Sequence, residues 1–224
     1  MINKPIIIIS GEPYSIFFEI LFKIYKSSFL KKYKYPIIVI GSERIMKKQM
    51  EKMKYNIEIN LINKNEALLS QLYKTKINLI NVDFKFKKTF DKISNKSNKY
   101  IKECFDIGLE LMKKKIGYGI INGPISKKHF LNKKFSGITE YISKKTNKGG
   151  NEVMLIYNKK FSVVPITTHI PLKNVTKEIS KDLIIHHHLI VTIKKQAKES
   201  KSNVHPPRAQ VNLVQGLSKI FIIL

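Results

Sequence analysis

Residues 36–53 read PIIVIGSERIMKKQMEKM. An apolar run, PIIVIG (36–41), stops at a glycine, and Ser42 follows, placed to cap a helix from about Glu43 to Met53. The stretch is a buried strand feeding a helix, and the same unit recurs on both sides of it. Upstream, PIIIIS (5–10) reads as a strand and SIFFEILFKIYKSSFL (15–30) as a helix. Downstream, IEINLI (57–62) and KINLINV (76–82) read as strands, and residues 83–98 as a polar, lysine-rich surface loop. NKYIKECFDIGLELMKKK (98–115) carries Ile101, Phe105, Leu109 and Met112 at helical spacing, which marks them as core. GYGIINGPIS (117–126) is a short strand running into a turn. EVMLIY (152–157) and FSVVPITT (161–168) read as a strand pair across Asn158-Lys159-Lys160, and DLIIHHHLIVTIKK (182–195) as a helix. Strands alternating with helices predict an α/β fold with a largely parallel sheet. There is no internal repeat.

Composition bounds the function classes. A chain of 224 residues, 43% of them hydrophobic, can bury a sizeable core. No apolar run approaches the roughly 20 residues of a membrane span, and the start, MINKPIIIIS, is too short in its apolar part for a signal peptide. Cys104 is the single cysteine, which excludes a disulfide framework and suits a reducing compartment, the cytoplasm. The net charge of +26 invites a nucleic-acid partner. However, only Arg44 and Arg208 among the 42 basic residues are arginines, the side chain that reads phosphates and bases through its planar fork. The lysines are spread along the whole chain. The expectation is a solvated basic surface whose field attracts anionic substrates, with no specific nucleic acid and no membrane as partner.

Ligands of such sheets sit at the carboxyl ends of the strands, where four loops fall. In SGEPYS (10–15), Glu12 can meet a ligand or cap the helix that follows. The loop is not a G-x-G-x-x-G turn, so a Rossmann-type dinucleotide site is not expected there. In INGPISKKHF (121–130), Lys127 is either an anion ligand or a surface lysine. In FSGITEY (135–141), Thr139 either donates to a phosphate or caps a helix. In PITTHIPLKNVT (165–176), His169 is either a metal ligand or an incidental imidazole in a turn. One histidine makes no metal site, since zinc takes at least three protein ligands. His186, His187 and His188 are neighbours on one helix and diverge by about 100° each, so they cannot face one ion together.

Taken in order, these loops resemble the PdxA family, the 4-hydroxythreonine-4-phosphate dehydrogenases of pyridoxal phosphate biosynthesis. IINGPISKKHF, FSGITEYIS, EVMLIY and TTHIPL follow that family's GPI-x-K, F-x-GHTE, Met-Leu strand and TTH-[IL]-PL, and SGEP with Ile16 and Glu19 follows its N-terminal motif. The resemblance covers roughly Pro5 to Lys181. It implies a three-layer α/β/α fold of the isocitrate/isopropylmalate dehydrogenase kind and a homodimer. It also implies oxidation of 4-phosphohydroxy-L-threonine by NAD or NADP, assisted by a divalent metal (Zn, Co or Mg). Decarboxylation to 3-amino-2-oxopropyl phosphate follows. His169 takes the place of a metal-binding histidine, Thr139 that of a substrate-binding threonine, and Lys127 lies in the GPI-x-K segment.

Three departures accompany the match. Ile138 stands at a substrate-binding histidine position, and isoleucine donates no hydrogen bond. Tyr14-Ser15 and Phe17-Phe18 stand where the family has small residues and Gly-Pro. After Arg208 the family continues into an LNPHAGE motif and a YHDQG-like segment bearing two more metal histidines, whereas here the sequence reads AQVNLVQGLSKIFIIL. The expectation is therefore a C-terminally truncated member. Residues 1–181 form its family-like α/β region, and 182–224 a helix with a divergent tail. Two alternatives are a non-catalytic remnant and a basic polyanion-binding protein.

Overall fold

The computed structural model describes residues 4–67, 71–132, 134–146, 153–157, 162–185 and 219–222. The chain forms two units, Met1–Ile138 with Gly216–Leu224, and Thr139–Gln215. The division at 1–181 and 182–224 is one of resemblance and not of compactness.

In the first unit, isoleucine-rich runs become the strands of a parallel sheet. These are β1 (Ile6–Ile9), β2 (Ile37–Gly41), β3 (Ile59–Leu61), β4 (Ile77–Asn81), β5 (Gly119–Asn122) and β8 (Lys219–Ile222). They lie in the order β3-β4-β2-β1-β5-β8, and every pair is parallel. The runs of β1, β2 and β4 are largely buried on both faces. β1 is central, with Ile6–Ile9 opposite Ile37–Ile40 on one side and Gly119–Asn122 on the other. Ile7, Ile9, Ile38, Val39, Ile40, Ile77 and Leu79 have no solvent exposure. Residues 219–222, part of the stretch read as a divergent tail, add a strand beside β5.

The connecting helices are α1 (Phe17–Lys26), α2 (Phe29–Lys32), α3 (Glu43–Lys52) and α4 (Asn98–Lys113). With this strand order, the right-handed rule for parallel crossovers assigns α1 and α3, which pack together, to one face of the sheet and α4 to the other, the three layers expected. Gly108 lets α4 approach closely, because a Cβ there would stand 2.9 Å from Ile9 Cδ1 and 3.0 Å from Ile120 Cδ1.

Three local expectations shift. The helix read over 15–30 breaks at Ser27, whose hydroxyl donates to the Ile24 carbonyl at 2.7 Å and accepts from the Phe29 amide at 3.3 Å. Such serine-to-backbone bonds compete with helix continuation. Ser42 occupies the cap position of α3 without a side-chain cap bond. Asn81 at the end of β4 does that work, its Oδ1 accepting from the Glu43 amide at 2.9 Å. Leu109 is only half-buried, while Cys104, Phe105, Gly108, Leu111 and Met112 form the buried face of α4.

In the second unit, α5 (Ile138–Lys145, its first residue closing the first unit) precedes β6 (Ile156–Tyr157) and β7 (Ser162–Val163), an antiparallel pair as expected, and α6 (Leu172–Glu178). Residues 181–185 are helical, and His186, His187, His188 and His205 lie outside the described residues. Among the described residues, no helix is long and apolar enough to cross a membrane.

Candidate functional site

Strand order reverses direction at β1. The chain moves outward through β2 to β3 at the edge, steps back to β4 between them, then crosses to place β5 on the other side of β1. The loops after β1 and β5 flank this switch point, the usual place for a ligand crevice in an open parallel sheet. Here they are locked together. The Gly123 amide donates to the Ile9 carbonyl at 2.6 Å, and the Glu12 amide to the Pro124 carbonyl at 2.8 Å. Gly11 sits at φ +70° with space for no side chain, since a Cβ would fall 2.4 Å from the Pro124 carbonyl oxygen. At Gly123 a Cβ would fall 2.3 Å from the Ser10 carbonyl oxygen.

Polar groups converge beneath these loops. The Tyr100 hydroxyl accepts from the Ser42 amide at 3.1 Å and shares a 2.7 Å bond with Ser10 Oγ, so α4 ties the ends of β1 and β2 together. Burial holds the Tyr100 phenol well above the usual tyrosine range and pushes the neighbouring Cys104 thiol up to about 12. Cys104 is thus a packed core side chain and no nucleophile. Glu12 is 1% exposed. Its Oε2 accepts from Ser97 Oγ at 2.7 Å, while Oε1 is buried with no hydrogen-bond partner. Desolvation raises its carboxyl above the ordinary value, against the opposing effects of Ser97, the Tyr14 amide and His129. Glu12 caps no helix, since α1 starts at Phe17 without a side-chain cap and Ser15 Oγ accepts from the Phe17 amide at 3.3 Å.

Beyond Pro124 the chain makes a π-helical turn, Lys127–Leu131, capped by Ser126 Oγ on the His129 amide at 3.2 Å. The turn is held from both sides. Asn98 Nδ2 donates to the His129 carbonyl at 2.9 Å, and the Phe130 ring stacks on Phe105 at 5.9 Å between centroids. Asn132 ends it in the left-handed region at φ 46°. The result is a cavity of about 590 Å³ lined by Asn95, Lys127, Lys128, His129, Asn132 and Phe135. Lys127 is exposed at its edge.

In the second unit, Thr139 is the second residue of α5 and half-buried, inside the helix rather than at its cap. Ile138 is 4% exposed, an apolar anchor at the start of that helix. His169 takes a left-handed φ of 60°, which is rare for a residue with a Cβ. Its Nε2 lies 3.8 Å from Glu140 Oε1, and Glu140 Oε2 is buried without a hydrogen-bond partner. Imidazole and carboxylate side by side are a donor pair suited to a divalent cation. Among the described residues, no group of three His, Cys, Asp or Glu side chains could hold a metal ion. The pair alone does not make a metal site. Sequence reasoning passed over Glu140, one residue beyond Thr139, along with Lys128 and Asn132 in the cavity wall, and weighed His129 only as a possible metal ligand. The only signal for Lys128 and Asn132 was their place just beyond INGPISK.

The family model described as pyridoxal phosphate biosynthetic protein PdxA matches residues 32–213. The 4-hydroxythreonine-4-phosphate dehydrogenase of Sulfurihydrogenibium sp. is 31% identical over 179 residues, covering 78% of this chain and 52% of that protein. The enzyme of the same name from Bacteroides thetaiotaomicron is 23% identical over 180 residues, covering 79% and 48%. The chain spans about half the length of the curated relatives it matches. Among solved structures, a 4-hydroxythreonine-4-phosphate dehydrogenase from Burkholderia phymatum superposes with a TM-score of 0.73 at 19% identity, over 92% of this chain and 61% of that one. One from Klebsiella pneumoniae gives 0.72 at 18% identity, over 87% and 60%. These structural likenesses bear on the fold alone.

Proposed function

The chain belongs to the PdxA family of pyridoxal phosphate biosynthetic proteins, and from that premise we propose that it acts as a 4-hydroxythreonine-4-phosphate dehydrogenase, binding a phosphorylated hydroxy amino acid and supporting its oxidation. The observation that carries this reading is the His169–Glu140 pair, 3.8 Å apart and joining the TTHIPL and GITE segments. A left-handed backbone at a histidine is a strained choice that functional sites tend to retain.

The roles follow from chemistry. The substrate's hydroxyl must lose a proton and its carbon a hydride. When bound, a nicotinamide cofactor, NAD or NADP, would supply the hydride acceptor, and a divalent metal would supply a Lewis acid for the substrate oxygen through oxidation and loss of CO2. His169 and Glu140 are the donors this chain offers to such a metal. Thr139 offers a hydroxyl to the substrate; Lys127, in the first unit, offers a positive charge to an anionic ligand. Ile138 offers no polar contact, so affinity rests on the remaining groups. The reading includes a homodimer and a cytoplasmic setting, the latter suited to a chain whose one cysteine is a buried free thiol.

The test is NAD(P)H formation from 4-phosphohydroxy-L-threonine with zinc, cobalt or magnesium added, on protein shown to be folded by circular dichroism. We expect metal-dependent turnover that falls at least about a hundredfold in His169→Ala, on the scale reported for lost metal-site groups. Folded protein without turnover would sink the enzyme reading and leave a ligand-holding role.

A further inference from the structure

Within the first unit, the loops that match the family follow β1 and β5, at the carboxyl end of the sheet. The amino end has no part in the chemistry proposed above. We propose that this amino end is a docking surface for single-stranded nucleic acid, with lysines holding the phosphates and a row of aromatic rings stacking the bases.

Lysines are spread along the chain, but carboxylates are not. No Asp or Glu occurs in 1–5, 20–36, 67–76 or 111–118, the segments that lead into β1, β2, β4 and β5. They bring Lys4, Lys26, Lys31, Lys34, Lys74 and Lys113 to this end. All six are exposed and, among the described residues, in no ion pair. Lys26 and Lys113 also complement the C-terminal dipoles of α1 and α4, but Lys4, Lys34 and Lys74 lie on no helix. The carboxylates nearest in sequence are already taken, Glu51 by Lys48 at 3.0 Å, Glu58 by Lys76 at 2.6 Å and Glu110 by Lys114 at 2.6 Å. By contrast, Glu12, Glu43 and Asp83 open the loops and helix at the carboxyl end.

Two further features suit a strand of bases rather than a simple anion. The first is the row of rings. Tyr35 and Tyr118 lie just before β2 and β5, on either side of the start of β1. There the Pro5 carbonyl accepts from the Tyr118 amide at 2.7 Å and the Pro36 carbonyl from the Ile6 amide at 2.9 Å. Tyr35 stacks on Tyr118 at 4.7 Å between centroids, Tyr33 meets Tyr35 edge-on at 6.0 Å, and Phe29 stacks on Tyr33 at 5.6 Å. Phe29, at the end of the row, is 59% exposed. The second is a cleft of about 550 Å³, lined by Tyr25, Lys26, Lys31 and Lys74 among others. Helix α2 joins the two features, since Lys31 lines the cleft and Phe29 belongs to the row. A basic groove beside aromatic faces is the pattern that holds single strands of any sequence. Arg44, in the first turn of α3, lies at the other end of the sheet, so this surface lacks the side chain that reads base edges.

The experiment is fluorescence anisotropy of a labelled thymidine oligonucleotide of about 20 residues, titrated with the whole chain over a range of salt. We expect saturable binding at least about tenfold tighter than to a duplex of the same length. Lys31→Ala/Lys34→Ala/Lys74→Ala should weaken binding at least about tenfold and make the logarithmic salt slope shallower by about 2, since each phosphate contact on a single strand contributes about 0.7. Phe29→Ala should weaken binding at least about fivefold with the slope unchanged. Lys85→Ala/Lys87→Ala/Lys88→Ala removes the same charge from the loop after β4 and should bind within about twofold of wild type. All the substituted side chains are exposed, and melting curves check the fold of each variant. Equal losses in the two triple variants would overturn the proposal in favour of a diffuse positive field. Full affinity in Phe29→Ala, or equal affinity for the duplex, would overturn it by removing the stacking. Binding to phosphatidylserine vesicles in place of the oligonucleotide would overturn it in favour of a membrane surface. None of these readouts involves turnover, so this surface and the dehydrogenase reading can fail separately.

Discussion

Glu12 is the residue whose environment most exceeds what its sequence position announced. A carboxyl after a glycine in a strand-end loop suggests a cap or a ligand, yet it lies 1% exposed with one oxygen bonded to Ser97 and the other unpartnered. Burial raises its pKa above the unfolded value. Its contribution to stability is therefore full below the ordinary glutamate value of 4.5 and is lost as pH rises through the folded pKa. Glu12→Gln keeps an acceptor for Ser97 and removes the buried charge. It should raise stability at neutral pH by up to about 1 kcal/mol, and the gain should vanish in acid. Urea unfolding of both proteins across pH measures this, and a gain that grows toward low pH would contradict it. His169 and Ile138 show the opposite balance. Their motif positions were plain, but neither the left-handed backbone of the one nor the core packing of the other follows from residue type.

The strands were legible as elements because isoleucine runs bounded by Gly, Pro and Ser allow little else, and β1, β2, β4 and β5 appear within a residue or two of where patterning puts them. The helix read over 15–30 was too long because a pair of serines looks tolerable in a helix until Ser27 bonds back to Ile24. The loop at 83–98 hid the Asn95–Ser97 turn, which reaches Glu12 and His129 through side chains that no local pattern can pair. The candidate site was thus legible as a set of loops and not as a set of contacts. The junction of the loops after β1 and β5 gives a test at this scale. A Cβ on Gly123 would press against the backbone of Ser10, and two short hydrogen bonds prevent the loops from parting. Gly123→Ala should cost about 2–4 kcal/mol, read from denaturant midpoints. A loss under 0.5 kcal/mol, the usual range for a neutral surface change, would show that the junction yields.

For the molecule as a whole, the formal charge is +26, and the ion pairs among the described residues are chiefly exposed contacts of one helical turn. Such pairs contribute little, whereas like-charge repulsion acts over the whole surface. Raising salt from about 0.01 M to about 0.15 M shortens the screening length from about 30 Å to about 8 Å, so the melting temperature should rise over that range. A Tm that falls would mean attractive pairs dominate. The sheet's edge has a consequence of another kind. β5 pairs on its outer side with β8, and the register joins Asn122 to Ile222, a separation of about a hundred residues. On the ribosome, at roughly 5–20 residues per second, β5 is made about 5–20 seconds before its neighbour. During that interval its outer edge offers unsatisfied amides and carbonyls to any passing extended chain. Slow translation of the second unit would lengthen the exposure, and the yield of soluble protein should then depend on codon choice well downstream of the strand at risk.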